Sequence, residues 1–125
     1  MNTAAIDASQ VAAQYIAMWN ETDPGRRDDL LASHWASDAS YVDPMMSAAG
    51  PVQISAMVGG LHQRYPGFRF QLKGQPDAHA GNLRFSWTLG PAAAPDMIEG
   101  TDFAQLDGGR LKSVVGFLDK VPVGA

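Results

Sequence analysis

Two aspartates lie at positions where the strand pattern offers an ionised side chain no obvious hydrogen-bond donor. Asp43 ends the short strand-like run 40–43 and directly precedes Pro44. Asp102 lies in the run 97–106, where alternation makes it the only charged side chain on an otherwise apolar face. A carboxyl group there must find hydrogen-bond donors, meet a cavity or keep its proton. Because carboxyl groups with shifted pKa values perform acid–base chemistry in pockets, the pattern predicts a small-molecule site.

The composition is that of an ordinary globular chain. Its 125 residues, 46% of them hydrophobic, predict a single domain over residues 1–125 with a core of its own. The absence of cysteine excludes disulfides, thiolate metal sites and a cysteine nucleophile. A net charge of −4 without a lysine or arginine cluster argues against nucleic-acid and membrane partners. With neither a signal-peptide pattern nor a membrane-length apolar run, we expect a cytoplasmic protein.

Helical periodicity comes first along the chain, and strand alternation follows it. We expect helices at about 9–21, 24–35 and 51–65, with Asp23 capping the second helix and Pro24 in its first turn. A short strand ends at Asp43, and further strands are expected at about 68–73, 83–89, 97–106 and 111–118, followed by a frayed tail over 119–125. This order predicts an α+β fold in which a curved antiparallel sheet packs on three helices as a cone with an open mouth.

Four local sequences are more informative together than singly. They are residues 15–23 (YIAMWNETD), 41–44 (YVDP), 99–103 (EGTDF) and 116–119 (GFLD). In this order they resemble the nuclear transport factor 2-like superfamily and, within it, the SnoaL-like group, over about residues 11–121. The resemblance implies a single SnoaL-like domain with a cone-shaped sheet, an architecture also called a cystatin-like α+β barrel. It does not select a reaction, because this fold hosts enzymes, binding modules and transport adaptors.

Within this superfamily, the ketosteroid isomerases give the closest comparison of site residues. Their catalytic base precedes a proline at the end of the strand after the second helix, and Asp43 resembles it. Their oxyanion hole pairs a first-helix tyrosine with a protonated aspartic acid on a late strand, which Tyr15 and Asp102 resemble. The resemblance implies that Asp43 abstracts a proton beside a carbonyl group. Tyr15 and Asp102, the latter protonated at neutral pH, would donate hydrogen bonds to the enolate oxygen.

The resemblance also implies an apolar cavity wall. This sequence differs from the isomerases at positions that would change the shape of the cavity rather than its acid–base groups. The loop after Pro44 carries two methionines, and the last strand has Gly116 near the place of a bulky aromatic pair in the isomerases. The residues expected to bind the substrate are Trp19, Trp35, Met46, Met57, Leu61, Phe70, Trp87, Val114, Gly116 and Leu118.

Three interpretations of function stay open at this level. The first is a cofactor-free isomerase, cyclase or dehydratase that acts on a small apolar carbonyl compound through its enolate. The second is a non-catalytic ligand-binding or dimerisation domain of the same fold. The third is a hydrolase using His79, the only histidine in the strand-forming half of the chain. Some relatives of this fold, such as scytalone dehydratase, use histidine with aspartate for elimination chemistry.

Two expectations concern what the protein binds besides a substrate. No two of the three histidines have the close spacing of a metal site, so we expect neither a metal nor a cofactor. The strands that begin near Phe68, Leu83 and Leu111 carry apolar residues at both odd and even positions. Apolar side chains would then lie on both faces of the sheet, which is more than one buried face requires. This surplus predicts a homodimer formed through the exposed face of the sheet.

Overall fold

Three helices pack against a curved, unclosed six-stranded sheet in the computed structural model, which describes residues 7–122. In chain order the elements are α1 (Ala8–Asn20), α2 (Pro24–His34), β1 (Trp35–Val42), β2 (Ser47–Ala49), α3 (Gly50–Arg64), β3 (Arg69–His79), β4 (Asn82–Gly90), β5 (Ile98–Asp107) and β6 (Arg110–Lys120). The predicted α+β class, with three helices on a curved sheet, is confirmed.

The order of strands across the sheet is β2-β1-β6-β5-β4-β3. Every neighbouring pair is antiparallel except β1 and β6, which run parallel, so the sheet is mixed rather than wholly antiparallel. Tyr41 on β1 lies opposite Val114 on β6, and Gly116 on β6 lies opposite Asp102 on β5. This register places the end of β1 beside the middle of β5, with only β6 between them.

The helix boundaries follow their sequence signals closely. Asp23 accepts a hydrogen bond from the Arg26 backbone N–H at 2.9 Å and Pro24 opens α2, as predicted. The side chain of Arg27 is buried and ties the helices together: its Nε donates to Ser55 Oγ at 3.0 Å, and its Nη1 donates to the Glu21 carbonyl at 2.8 Å. None of the helices in residues 7–122 is long and apolar enough to cross a membrane.

Three strand predictions need correction. β1 begins at Trp35 rather than near residue 40, because its first half is irregular and partly exposed and so shows no alternation. The loop predicted after Pro44 contains β2, which pairs with β1. The predicted frayed tail is wrong for residues 119–120, which belong to β6, where Lys120 pairs with Glu99. Residues 123–125 of that tail lie outside the described residues.

Candidate active site

A cavity of about 350 Å³ opens between the inner face of the sheet, α1 and the end of α3. Its volume lies at the lower end of the range typical of small-molecule sites. Most of its wall is apolar, formed by Trp19, Met45, Met46, Leu61, Phe68, Phe70, Trp87, Leu89, Met97, Ile98, Leu118, Val121 and Pro122. Six side chains that carry a hydroxyl, carboxyl or guanidinium group also line it: Tyr15, Tyr41, Asp43, Arg64, Tyr65 and Asp102.

The innermost polar pair consists of Tyr15 on α1 and Asp102 on β5. The Tyr15 hydroxyl donates to Asp102 Oδ2 at 2.5 Å, and both residues are almost fully buried. The Tyr15 ring is fixed by Phe85 and Trp35, whose ring centroids lie 4.8 and 5.8 Å from its own. Asp102 Oδ1 is also buried but has no hydrogen-bond partner within residues 7–122. The carboxyl group therefore retains one unsatisfied oxygen beside the cavity.

Burial dominates the protonation of this pair. It raises the pKa of Asp102 to about 6, while the hydrogen bond from Tyr15 lowers that pKa and the negative charge of Asp43 raises it. Burial, together with the nearby Asp102 charge, raises the pKa of Tyr15 well above its usual value, so the phenol stays neutral. This direction agrees with the one expected from the sequence, and the protonation of Asp102 at neutral pH stays a prediction.

Asp43 is held in the same cavity by three donors. Its Oδ2 accepts from the Tyr41 hydroxyl at 2.6 Å, and its Oδ1 accepts from the backbone N–H groups of Met45 and Met46 at 2.7 and 2.9 Å. The backbone N–H of Asp43 donates to the Met46 carbonyl at 2.9 Å. Asp43 thus forms the turn that an aspartate before proline favours, and it also faces the cavity. The two roles are compatible.

Tyr41 is the important site residue that sequence reasoning missed. It is 4% exposed, lines the cavity and hydrogen-bonds Asp43 from two positions earlier on the same strand face. Burial raises its pKa above the usual tyrosine value, and the charges of Asp102 and Asp43 raise it further, so it remains a donor. Alternation along β1 was the available signal, because residues two apart share a face.

Gly116 on β6 lies where these groups meet. A β-carbon added there would come within 2.8 Å of Asp102 Oδ1, 3.2 Å of Asp43 Cβ and 3.3 Å of the Tyr41 hydroxyl oxygen. Real β-carbons do not approach other atoms as closely as 2.8 Å. The absence of a side chain at this position therefore lets the two acids share one site.

The structure brings together most of the residues predicted from sequence. Tyr15, Asp43 and Asp102 share the cavity. The residues predicted to bind the substrate that also line it are Trp19, Met46, Leu61, Phe70, Trp87 and Leu118. Four others do not line it: Trp35, Met57, Val114 and Gly116, of which Gly116 lies between the two acids instead. Trp35 stacks on Tyr15 within the core, Val114 is 1% exposed in the core, and Met57 packs against the core from α3.

The histidines lie apart from the predicted chemistry. His79 is exposed at the end of β3, where it borders a separate depression with Asp77 and Arg84 rather than the cavity. His62 hydrogen-bonds within the fold: its Nε2 lies 2.7 Å from the Trp19 carbonyl oxygen and, since a carbonyl oxygen only accepts, carries the proton that it donates. Within residues 7–122, no three histidine, aspartate or glutamate side chains are grouped as a metal ion would require.

Comparison with known proteins identifies structural relatives. No protein-family model matches the chain, and no curated protein does. A solved structure from Agrobacterium tumefaciens, a candidate isomerase of the SnoaL-like family, is 43% identical over 90% of this chain and 97% of its own, with a TM-score of 0.86.

More distant structures share the fold. A candidate ketosteroid isomerase from Kribbella flavida is 21% identical over 98% of this chain and 87% of its own, with a TM-score of 0.69. A candidate SnoaL-like polyketide cyclase from Jannaschia is 12% identical over 95% of this chain and 91% of its own, with a TM-score of 0.68.

Proposed function

The chain belongs to the SnoaL-like family, and from that premise we propose that it is a cofactor-free acid–base enzyme acting on an apolar carbonyl compound. One observation carries the proposal. The buried Tyr15–Asp102 pair and the carboxylate of Asp43 face a single apolar cavity. Such an arrangement separates hydrogen-bond donors for an oxygen atom from a base for a C–H group.

The proposed reaction begins with proton abstraction by Asp43. A carboxylate oxygen of Asp43 takes a proton from the carbon next to the substrate carbonyl. The electron pair of that C–H bond forms the C=C bond of an enolate, and the carbonyl π electrons move to its oxygen. The Tyr41 hydroxyl and two backbone N–H groups fix the orientation of Asp43 for this step. A base held in place needs little reorganisation to react.

In this proposal, Tyr15 and the protonated form of Asp102 stabilise the enolate oxygen. The Tyr15 proton that points to Asp102 Oδ2 can be redirected to a ligand oxygen, and a proton on Asp102 supplies the second donor. A developing oxyanion near Asp102 favours its protonated form, whose pKa is already raised to about 6 by burial. One preorganised donor of this kind is worth about 3–4 kcal/mol of transition-state stabilisation.

The enolate can then go on to more than one product. Reprotonation at another carbon gives isomerisation, attack on an internal carbonyl gives cyclisation, and loss of a hydroxyl group gives dehydration. The names of the structural relatives, a candidate isomerase and a candidate polyketide cyclase, support this range of reactions. The hydrolase hypothesis depended on His79, which lies outside the cavity, and we do not extend it.

Binding of a fluorescent enolate mimic tests the proposal. We would titrate 2-naphthol into wild type, Asp43→Asn, Asp102→Asn and Tyr15→Phe between pH 5 and 9. Asp43→Asn should bind the naphtholate roughly tenfold more tightly because it removes a repelling charge, equivalent to about 1.4 kcal/mol. Asp102→Asn should change the pH dependence of binding, and Tyr15→Phe should weaken binding through loss of a donor. Asp77→Asn, an exposed acid outside the cavity, is the control.

Unchanged binding and unchanged pH dependence in both the Asp43 and the Asp102 variants would contradict the shared-site proposal. The non-catalytic ligand-binding interpretation would then replace it. Retained binding with changed pH dependence in these variants, and no change in Asp77→Asn, would support the acid–base assignment.

The outward face of the sheet supports a second proposal, that two copies of this chain associate. Phe103, Val115 and Phe117 are 46, 43 and 52% exposed, and the two phenylalanine rings pack edge to face at 5.8 Å. Val42 continues this surface, because it lies opposite Val115 on the neighbouring strand. A contiguous apolar surface on one sheet face suits an isologous contact, in which the same patch meets itself.

A further inference from the structure

We infer that the ligand of the cavity carries an oxyanion group, most simply a carboxylate, which Arg64 binds at the cavity mouth. This inference rests on the proposed function, because it extends the description of the same substrate. It adds a substrate class: an apolar carbonyl compound with one anionic end.

Arg64 is the last residue of α3 and follows the buried cavity residue Leu61 by one turn. Residues three apart on a helix are neighbours on its surface, so the apolar wall leads directly to the guanidinium group. The side chain of Arg64 is exposed, whereas Asp102 is 1% exposed. Arg64 therefore marks the solvent side of the cavity and Asp102 its inner side.

No other basic side chain among the described residues lines this cavity. The ion pairs found within residues 7–122 use Lys73, Arg84, Lys112 and Lys120, but not Arg64. Its guanidinium is thus free to bind an external anion. A planar guanidinium matches a carboxylate with two parallel hydrogen bonds, which gives orientation as well as affinity.

The charges inside the cavity determine which end of a ligand can be anionic. Asp43 and Asp102 are both acids, so a ligand oxyanion placed beside them would meet repulsion as long as they are ionised. The same group at Arg64 meets a positive charge instead. An anionic ligand is therefore oriented with its charge at the mouth and its carbonyl group towards Tyr15.

The remaining wall suits an aromatic or polycyclic body between these two ends. Tyr65, the residue after Arg64, and Phe68 both line the cavity, and their ring centroids lie 5.1 Å apart. A volume of about 350 Å³ limits the ligand to a small molecule, and aromatic walls suit stacking against rings. We therefore assign the substrate to compact cyclic ketones or enols that bear a carboxylate.

A matched pair of ligands and a matched pair of variants test the inference. 2-Naphthol and 6-hydroxy-2-naphthoic acid differ by one carboxylate, and both fluoresce. Each would be titrated into wild type, Arg64→Gln and Arg69→Gln. Arg69 is an exposed arginine on β3 that does not line the cavity, so its variant changes the net charge equally. 6-Hydroxynaphthalene-2-sulfonate distinguishes a planar carboxylate from a tetrahedral oxyanion.

Wild type should bind the carboxylated naphthol about tenfold more tightly than 2-naphthol, and added salt should reduce that preference. Arg64→Gln should abolish the preference, and Arg69→Gln should preserve it. Arg64→Lys should retain part of the preference, because the charge remains and the two-bond geometry is lost. An equal preference for the sulfonate would support a general oxyanion site, and a preference for the carboxylate alone would support the bidentate geometry.

The outcomes separate this inference from the proposed function. Binding of 2-naphthol with no Arg64-dependent preference for the carboxylate would overturn the inference and leave the acid–base proposal intact. A preference that Arg69→Gln abolishes equally would also overturn it, since the effect would then come from net charge. Failure of every naphthol to bind wild type would overturn both.

Discussion

Replacing Gly116 by alanine perturbs the candidate site at the point where its parts meet. The new β-carbon would lie 2.8 Å from Asp102 Oδ1, which can retreat only by straining the 2.5 Å hydrogen bond from Tyr15. It would also lie 3.2 Å from Asp43 Cβ, where three hydrogen bonds hold the side chain in place. Neither neighbour is free to move, so overpacking should cost about 1–3 kcal/mol.

The sign of this effect is diagnostic. A glycine-to-alanine change within a regular element normally stabilises a protein by about 0.5–1 kcal/mol, because it restricts the unfolded chain. Gly60 on α3 provides the matched control, since an added β-carbon there meets no atom within 4 Å. Urea unfolding should therefore show Gly116→Ala below wild type and Gly60→Ala above it. Naphthol binding should weaken in the first variant alone.

A double-mutant cycle identifies the cause of the loss. Asp102→Ala removes the closest contact of the new β-carbon, so Gly116→Ala should cost less in that background than in wild type. We expect a coupling free energy of about 1 kcal/mol, within the range seen for residues in contact. Equal or higher stability of Gly116→Ala in the wild-type background, with unchanged naphthol binding, would refute the reasoning.

Three further predictions test the acids, their donors and the sheet face. Burial raises the pKa of Asp102 from 3.8 to about 6, so its contribution to stability is present below about pH 4 and is lost as pH rises through about 6. Unfolding free energies should show wild type losing up to about 3 kcal/mol relative to Asp102→Asn between pH 4 and 7. An unchanged difference across that window would contradict the buried-acid assignment. Tyr41→Phe should destabilise the protein by about 1–2 kcal/mol in urea, because a donor to the Asp43 carboxylate is lost. A change within error would show that this bond contributes nothing. Sedimentation should show a dimer that Phe117→Lys dissociates and that Val52→Lys, on an exposed apolar residue of α3, leaves intact. A monomeric wild type at micromolar concentration would exclude the dimer.

The sequence was sufficient to predict the elements that have regular periodicity. The stripe of α3 and the alternation of β4 identify helix and strand because one face of each is buried. The first half of β1 was not predictable in this way. It pairs with β6 at Trp35 but departs from regular register before Ser40, so its exposed side chains carry no period of two.

The site was predictable in its residue types but not in its construction. Asp43 and Asp102 were identified from the strand pattern and Tyr15 through the resemblance, whereas the pairing of Tyr41 with Asp43 and the place of Arg64 at the mouth were not predicted. Tyr41 reads from sequence as an ordinary buried strand residue, and its hydroxyl acquires a role only once Asp43 is held by the turn at Met46. In the sequence, Arg64 is a cation of the kind that suits the end of a helix, and only the curvature of the sheet places that end at the mouth of a cavity.

The parallel pairing of β1 with β6 explains how the two acids come to act on each other. It brings Asp43 beside Gly116, and β5 brings Asp102 to the other side of the same glycine. Burial accounts for most of the raised pKa of Asp102, and the negative charge of Asp43 adds to it. In the proposed reaction the negative charge moves from Asp43 to the enolate oxygen when the proton is abstracted. Because a negative charge beside Asp102 is thereby kept, the protonated form of Asp102 stays favoured while charge develops on that oxygen. The close approach that Gly116 permits thus links the proposed base to the proposed oxyanion site electrostatically.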